Sequence, residues 1–172
     1  MELFEKTIKT EDVYNGRIFT VKTSVVELPD GSQAPRDTVV HTGGVCVIAR
    51  TADGKIPMVR QYRKGIEQVT LELPAGKLEQ GEDPRECGIR ELKEETGYCA
   101  EKFSLLTKIA PTPAYCSEII YIYQAEEMYY EGQRLDEGEL LNLEYYTLDE
   151  LKEKVRLGEI IDAKTIVGIM MI

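Results

Sequence analysis

The chain has 172 residues, about one domain with a small extension. Apolar residues make up 42% and charged residues 30%, the balance of a globular chain that buries a core without disulfide staples. Its 21 basic and 31 acidic residues give a net charge of −10, which argues against nucleic acid and anionic membrane surfaces as partners, since no basic excess exists to displace counterions.

No apolar run approaches the roughly 18 residues of a membrane span. The N-terminus, MELFEKTIKTEDV, is charged throughout and lacks the apolar stretch of a secretory leader, so a cytoplasmic protein is expected. Cys46, Cys87, Cys99 and Cys116 form no C-x-x-C pair, and His41 is the only histidine. Free thiols are expected, and a structural zinc site is not.

Residues 18–28 are rich in β-branched and aromatic types and read as a strand. Pro29-Asp30-Gly31-Ser32 is a turn, and residues 36–41 resume extended character. Together they predict an N-terminal antiparallel β extension over residues 1–40. Two such strands are marginal alone in water, so the extension is expected to pack on the main domain, residues 41–172, or on a second subunit.

In that domain, 45–50 reads as a buried strand, Ala52-Asp53-Gly54-Lys55 as a turn, 57–63 as the return strand, and 69–73 as a strand stopped by Pro74. Gly76 to Gly81 reads as a loop. A helix follows over 84–96: Asp83 is its N-cap, Pro84 its first residue, Glu86 completes a D-x-x-E capping box, and Gly97 ends it. Further strands are expected at 104–110, 118–124 and 142–147. A second capping box, Thr147 to Glu150, opens a helix ending near Gly158, and Asp162 caps a last helix over 163–171. Strands and helices mix without strict alternation. That predicts an α+β arrangement, a mixed sheet with helices packed on it.

The helix over 84–96 carries Glu91, Glu94 and Glu95 on one face, while Ile89 and Leu92 turn toward a core. Taken alone, such a face reads as solvated surface, and it is expected to face solvent. Yet like charges at i,i+4 repel, here near the negative end of the helix dipole. Mg2+ or Mn2+, which favour hard oxygen ligands, would offset that repulsion. Arg90, one turn before Glu94, is placed to hold one carboxylate.

The surroundings change the reading. Gly76, Glu82, Arg90-Glu91, Glu94-Glu95 and Gly97-Tyr98 follow the spacing G-x5-E-x7-R-E-U-x-E-E-x-G-U. This resembles the Nudix box, with Tyr98 at a position that is usually aliphatic. The resemblance implies an α/β/α sandwich with a mixed sheet and a metal-dependent hydrolase of nucleoside diphosphate derivatives. It implies Glu91 and Glu95 as the main metal ligands, Glu94 assisting, the Ala75 carbonyl as a further ligand and Arg90 orienting the glutamates. It gives Glu82 the loop–helix junction.

Other stretches are similar to the ADP-ribose pyrophosphatase subfamily. Pro113 stands fifteen residues after Tyr98, and TPAYCSE (Thr112 to Glu118) resembles that subfamily's S-P-G-x-x-x-E loop, with Ala114 in place of its glycine and Thr112 in place of its serine. RQYR (Arg60 to Arg63), LELPAG (Leu71 to Gly76) and PRDTVVHTGG also match subfamily patterns. The likeness implies a homodimer that exchanges N-terminal strands. It implies substrate contacts at Arg36, Arg63, Glu72 and Pro113, and adenine stacking by Phe19, for which a core role is the competing reading. Guanidinium forks match phosphate oxygens, which is why arginines suit such a site.

The acidic stretch Leu135-Asp136-Glu137-Gly138-Glu139 reads as a solvated turn by composition. The resemblance instead places the general base there, Glu137 first, with Glu139 as metal ligand or second candidate. The implied reaction splits ADP-ribose to AMP and ribose 5-phosphate by metal-assisted water attack on phosphorus. ADP-glucose, GDP-mannose, NADH and diadenosine polyphosphates are alternative substrates, and a non-catalytic nucleotide sensor is a third reading.

Overall fold

The computed structural model describes residues 3–135 and 140–172. The chain forms two compact units, one of Met1–Gly43 with Ala110–Ile119, the other of Gly44–Ile109 with Ile120–Ile172.

In the first unit, β1 (Lys6–Asn15), β2 (Phe19–Glu27) and β3 (Gln33–His41) form an antiparallel sheet in that order. The predicted turn closes β2 onto β3: Asp30 Oδ1 accepts from Ser32 N at 2.9 Å, and Gly31 supplies φ 83°. The β1 strand falls in a stretch that gave no strand signal. It is exposed along its whole length, so it shows no alternation of apolar and polar positions. Segment 110–119 docks on β3, where Val39 N donates to Tyr115 O at 2.7 Å and Ser117 N to Val39 O at 2.9 Å.

The second unit holds β4 (Gly44–Ala49), β5 (Ile56–Arg63), β6 (Gln68–Glu72), β7 (Ala75–Lys77), α1 (Pro84–Thr96), β8 (Tyr98–Ile109), β9 (Ile120–Tyr130), β10 (Leu141–Tyr146), α2 (Leu148–Arg156) and α3 (Ala163–Met170). One sheet runs β7-β4-β9-β8, with β4 and β9 parallel and the other pairs antiparallel; a second runs β10-β5-β6. The central strand β4 is buried on both faces. Cys46 and Ile48 pack with Ile122, Leu151 and Ile169, toward α2 and α3. Val45 packs with Cys87 and Tyr123, and Val47 and Ala49 with Leu92, toward α1. Helices therefore cover both faces of a mixed sheet, an α/β/α sandwich.

Helix α1 matches its predicted span, with Asp83 accepting from Arg85 N and Glu86 N and Gly97 at φ 77° donating to Lys93 O. Glu86 Oε1 accepts from Arg85 Nη1 at 3.1 Å. The Thr147–Glu150 capping box forms on both sides, and Asp162 caps α3 through Thr165 N. In the second unit the strands differ from expectation at β7 and along the β8–β9 pair. β7 occupies part of the predicted loop, because Ala75 and Gly76 pair with Cys46 and Val45 of β4. β8 starts at Tyr98 rather than 104, and β9 extends to Tyr130. The added lengths pair with each other and carry charged residues such as Glu101, Lys102, Glu126 and Glu127, which hide the strand pattern.

Gly88 on α1 leaves room for the sheet: an added Cβ would lie 2.8 Å from Phe103 Cζ. Phe103 is stacked on Tyr123 at 4.9 Å and cannot retreat cheaply. Gly88→Ala is expected to cost about 1–3 kcal/mol by overpacking. Thermal denaturation checks it; an unchanged midpoint would show that the ring gives way.

Candidate active site

The carboxylates of α1 are not a solvated face. Glu91 is 9% and Glu95 2% exposed, which corrects the expectation that they face solvent. The reason is β7. Ala75 N donates to Glu95 Oε2 at 2.9 Å, which ties the helix to the strand. The Glu91 carboxyl lies over Gly76, where an added Cβ would stand 1.9 Å from Glu91 Oε1. Only a residue without a side chain fits at 76 while Glu91 keeps this position.

Arg90 holds this group together. Its Nη1 donates to Glu91 Oε1 at 2.8 Å and to Glu94 Oε2 at 3.0 Å, and its Nε and Nη2 each donate to Glu82 Oε1 at 3.1 Å. Burial alone would lower the Arg90 pKa; Glu82 and Glu91 reverse the sign and raise it. Glu82 also accepts from Glu79 N at 2.9 Å, as fits a residue that organises the loop–helix junction. Hard oxygen donors from Glu91, Glu94, Glu95 and the Ala75 carbonyl thus lie along adjacent parts of α1 and β7, a donor set of the right kind for Mg2+ or Mn2+. Among the described residues no three His, Cys, Asp or Glu side chains converge as a metal cage; Arg90 Nη1 lies between Glu91 and Glu94 instead. Tyr98, the unusual last residue of the box, packs edge-on to Tyr130 at 5.3 Å and Tyr145 at 6.5 Å.

Arg63 and Glu72, expected as separate substrate contacts, are joined in a bidentate pair of 2.8 and 2.7 Å. Glu72 is buried and also accepts from Thr70 Oγ1 at 2.6 Å and Lys164 Nζ at 2.5 Å. Four donors fill the roughly four lone-pair positions of a carboxylate, so Glu72 accepts from a ligand only by exchanging a protein donor. Burial alone would raise the Glu72 pKa; Arg63, Lys164 and Thr70 overcome it and hold it at about 2, against an ordinary 4.5. Glu72 hydrogen bonds push the Arg63 pKa up against burial, and the charges of Asp162 and Glu95 add to this. Arg63, Thr70, Glu72 and Asp162 line a cavity of about 470 Å³ together with Lys64, Ile66, Ile161 and two small residues. Thr70, Lys164 and Asp162 were not among the expected site residues. One signal was available for Lys164: a cation in the first turn of a helix opposes the dipole.

In the first unit, Arg36 pairs bidentately with Glu5 at 2.9 and 2.6 Å. Phe19 is 40% exposed and tilts against Tyr14 at 5.9 Å, so it has no core role. Pro113 belongs to the segment docked on β3, where Cys116 N donates to Thr112 O at 3.0 Å. Glu137 and Glu139 lie outside the described residues. All four cysteines are free thiols, as expected, and burial pushes the Cys87 thiol up to about 12. Among the described residues no helix is long and apolar enough to cross a membrane.

The depressed Glu72 pKa has a definite pH signature. Its stabilisation is fully present above pH 4.5 and fades as pH falls toward about 2. Glu72→Gln is expected to lose roughly 3 kcal/mol at pH 7, because Arg63 loses its carboxylate partner and the buried Lys164 keeps only Asp162. The gap from wild type should shrink through that acid window. Urea melts from pH 7 to 2.5 check this, and a gap constant with pH would remove the charge from the explanation.

Comparisons with known proteins agree with this geometry. Residues 40–166 match the NUDIX domain, and residues 5–39 match the nucleoside diphosphate sugar hydrolase N-terminal domain. A methanol dehydrogenase activator of Bacillus methanolicus is 44% identical over 96% of this chain and 90% of its own. An ADP-ribose pyrophosphatase of Bacillus subtilis is 42% identical over 95% of this chain and 89% of its own. The crystal structure of an ADP compounds hydrolase shares the fold, with a TM-score of 0.86 at 24% identity, over 99% of this chain and 94% of that one. With the box residues gathered on α1 and β7 and the domain match spanning most of its length, the chain belongs to the NUDIX domain family.

Proposed function

We propose that this protein hydrolyses the pyrophosphate bond of ADP-ribose to AMP and ribose 5-phosphate, with Mg2+ as its metal and Mn2+ as a substitute. The observation that carries the reading is Arg90 gathering Glu82, Glu91 and Glu94 beside Glu95, in a chain whose Bacillus subtilis relative is an ADP-ribose pyrophosphatase over nearly the same length. Glu91 and Glu95 would hold the metal, with Glu94 and the Ala75 carbonyl as further oxygen donors. When bound, the ion would supply positive charge to the phosphate oxygens and lower the pKa of water. Arg90 holds Glu82, Glu91 and Glu94 in place through its hydrogen bonds. Glu137 takes the proton of the attacking water, with Glu139 the second candidate. The water oxygen bonds to one phosphorus, the bridging P–O bond breaks, and each phosphate leaves on its own sugar. Arg63, Arg36, Pro113 and Phe19 contact the substrate, and Glu72 does so only by exchanging one of its protein donors. Phe19 stacks on adenine from the partner subunit of a homodimer that exchanges N-terminal strands; the exposed apolar residues Ile8, Val13 and Val25 of β1 and β2 support such an interface. A cytoplasmic location fits the free thiols.

A second reading has one specific support, the 44% relative named as a methanol dehydrogenase activator. In it, the same site serves to raise the turnover of a methanol dehydrogenase.

The test is product formation from ADP-ribose with Mg2+ and then with EDTA, beside ADP-glucose, GDP-mannose, NADH and diadenosine polyphosphates. Preferred turnover of ADP-ribose, lost with EDTA, is expected. Preference for another compound overturns the substrate, and binding without turnover of any overturns the enzyme. Glu137→Gln is expected to lower kcat at least roughly 100-fold with little change in KM; an unchanged kcat moves the base to Glu139. Removing residues 1–40 is expected to turn the dimer into a monomer of the shortened chain, as read by light scattering. A full-length monomer, or a truncated dimer, would refute strand exchange.

A further inference from the structure

Lys164 is the least expected charge in the second unit. Its side chain is only 11% exposed, and it stands in the first turn of α3, where the helix dipole disfavours a cation. Burial and dipole both oppose it, so its place must be repaid by specific partners. These are Glu72 Oε2 at 2.5 Å and Asp162 Oδ2 at 3.0 Å. Asp162 is fixed in turn as the N-cap of α3, accepting from Thr165 N at 3.0 Å. Thr165 Oγ1 accepts from Leu73 N at 2.9 Å, which locks the same turn of helix onto the chain next to Glu72.

The other side of Glu72 holds Arg63. That guanidinium spends Nε–H and one Nη2–H on Glu72 and is 42% exposed along the cavity wall. Three of its five N–H donors remain for a ligand. A lone bidentate pair would tend to cancel Arg63 as an anion site. Lys164 offsets the second carboxylate, Asp162: the four charges of Glu72, Asp162, Arg63 and Lys164 sum to zero, Glu72 is shared between two cations, and Arg63 is the exposed one.

We propose that Lys164 is a positioning residue for substrate binding: through Glu72 it fixes the Arg63 guanidinium in the cavity between β5, β6 and α3 and keeps it available to a phosphate oxyanion of the substrate. The role deepens the pyrophosphate-hydrolase reading of this site and rests on it. Lys164 itself touches no substrate. Its removal leaves Glu72 and Asp162 with Arg63 alone, draws that guanidinium fully into the ion pairs, and makes the cluster net negative beside an anionic ligand.

The experiment is a double-mutant cycle of Lys164→Met and Arg63→Ala, with Lys164→Arg as the charge-conserving variant, read by calorimetric binding of ADP-ribose and, separately, of inorganic pyrophosphate. Lys164→Met is expected to weaken binding of both on the order of tenfold, and Lys164→Arg to recover most of it. In the Arg63→Ala background, Lys164→Met should add less than about twofold, because the two act as one unit. In turnover, KM should rise far more than kcat falls. Additive losses would overturn the proposal. So would wild-type affinity in a Lys164→Met protein whose only change is a lower melting temperature. If Lys164→Met does not fold, Lys164→Arg and Thr70→Val decide: Thr70→Val removes another Glu72 donor and should weaken pyrophosphate binding only when Arg63 is present. Pyrophosphate binding with the expected coupling but no turnover of ADP-ribose would sink the substrate reading and uphold the positioning role. A wild-type protein that binds neither anion would overturn both.

Discussion

The guanidinium of Arg90 is the contact on which the second unit's chemistry depends. Charged groups taken from water lose several kcal/mol each unless partners replace the solvent. Glu91 and Glu95 are buried on one helix face, and Glu94 is half-buried beside them. Without a cation they would repel one another. Arg90 answers Glu82, Glu91 and Glu94 at once, and Ala75 N–H answers Glu95. Local sequence serves this arrangement. Gly76 has no side chain where Glu91 must lie, Asp83 and Pro84 start the helix nearly two turns before Arg90, and Gly97 ends it just after the carboxylates.

Both sheet faces are covered for the same reason. With Val45 and Val47 packed toward α1 and Cys46 and Ile48 toward α2 and α3, β4 cannot move without disturbing both layers. β7 pairs on β4, so the backbone amide that meets Glu95 is held by the most buried strand. The carboxylate cluster inherits the rigidity of the core. The end of the helix is fixed from another side: Glu131 N donates to Gly97 O at 2.8 Å, Arg134 N to Glu94 O at 3.1 Å and the Gln133 side chain to Glu95 O at 2.5 Å. Carbonyls that a helix leaves open at its C-terminus are thus answered by residues 131–134.

The elements that read clearly from sequence are those whose signals are local. Asp83-Pro84 and Gly97 bracket α1, and Thr147 with Glu150 opens α2, because caps need only residues a few positions apart. Glu91, Glu94 and Glu95 were legible as one face for the same reason. What local signals do not carry is where that face goes. Its burial depends on β7, three residues with no pattern of their own that form a strand only because β4 offers an edge. β1 escaped for a related reason, since a strand with no buried face has no alternation to read. The Arg63–Glu72–Lys164 network joins residues 92 positions apart, and only the fold of α3 onto the chain after β6 brings them together.

The two charged networks of the second unit differ in how completely they are satisfied. At Glu72 the charges balance and the carboxylate is saturated, so what the network offers outward is the remaining face of a guanidinium. Along α1 the carboxylates outnumber the guanidinium they share, so what that cluster offers is oxygen for a cation. Arg63 lies close enough to Glu95 for the two charges to act on each other. A pyrophosphate ester asks for this combination. Its oxygens need metal charge at the reacting phosphorus and a fixed hydrogen-bond donor beside it, and the donor must not compete for the metal's carboxylates. Committing Arg63 to Glu72, and Glu72 in turn to Lys164, meets that condition, because a guanidinium already tied to an anion of its own keeps free N–H donors without drawing on the carboxylates of α1.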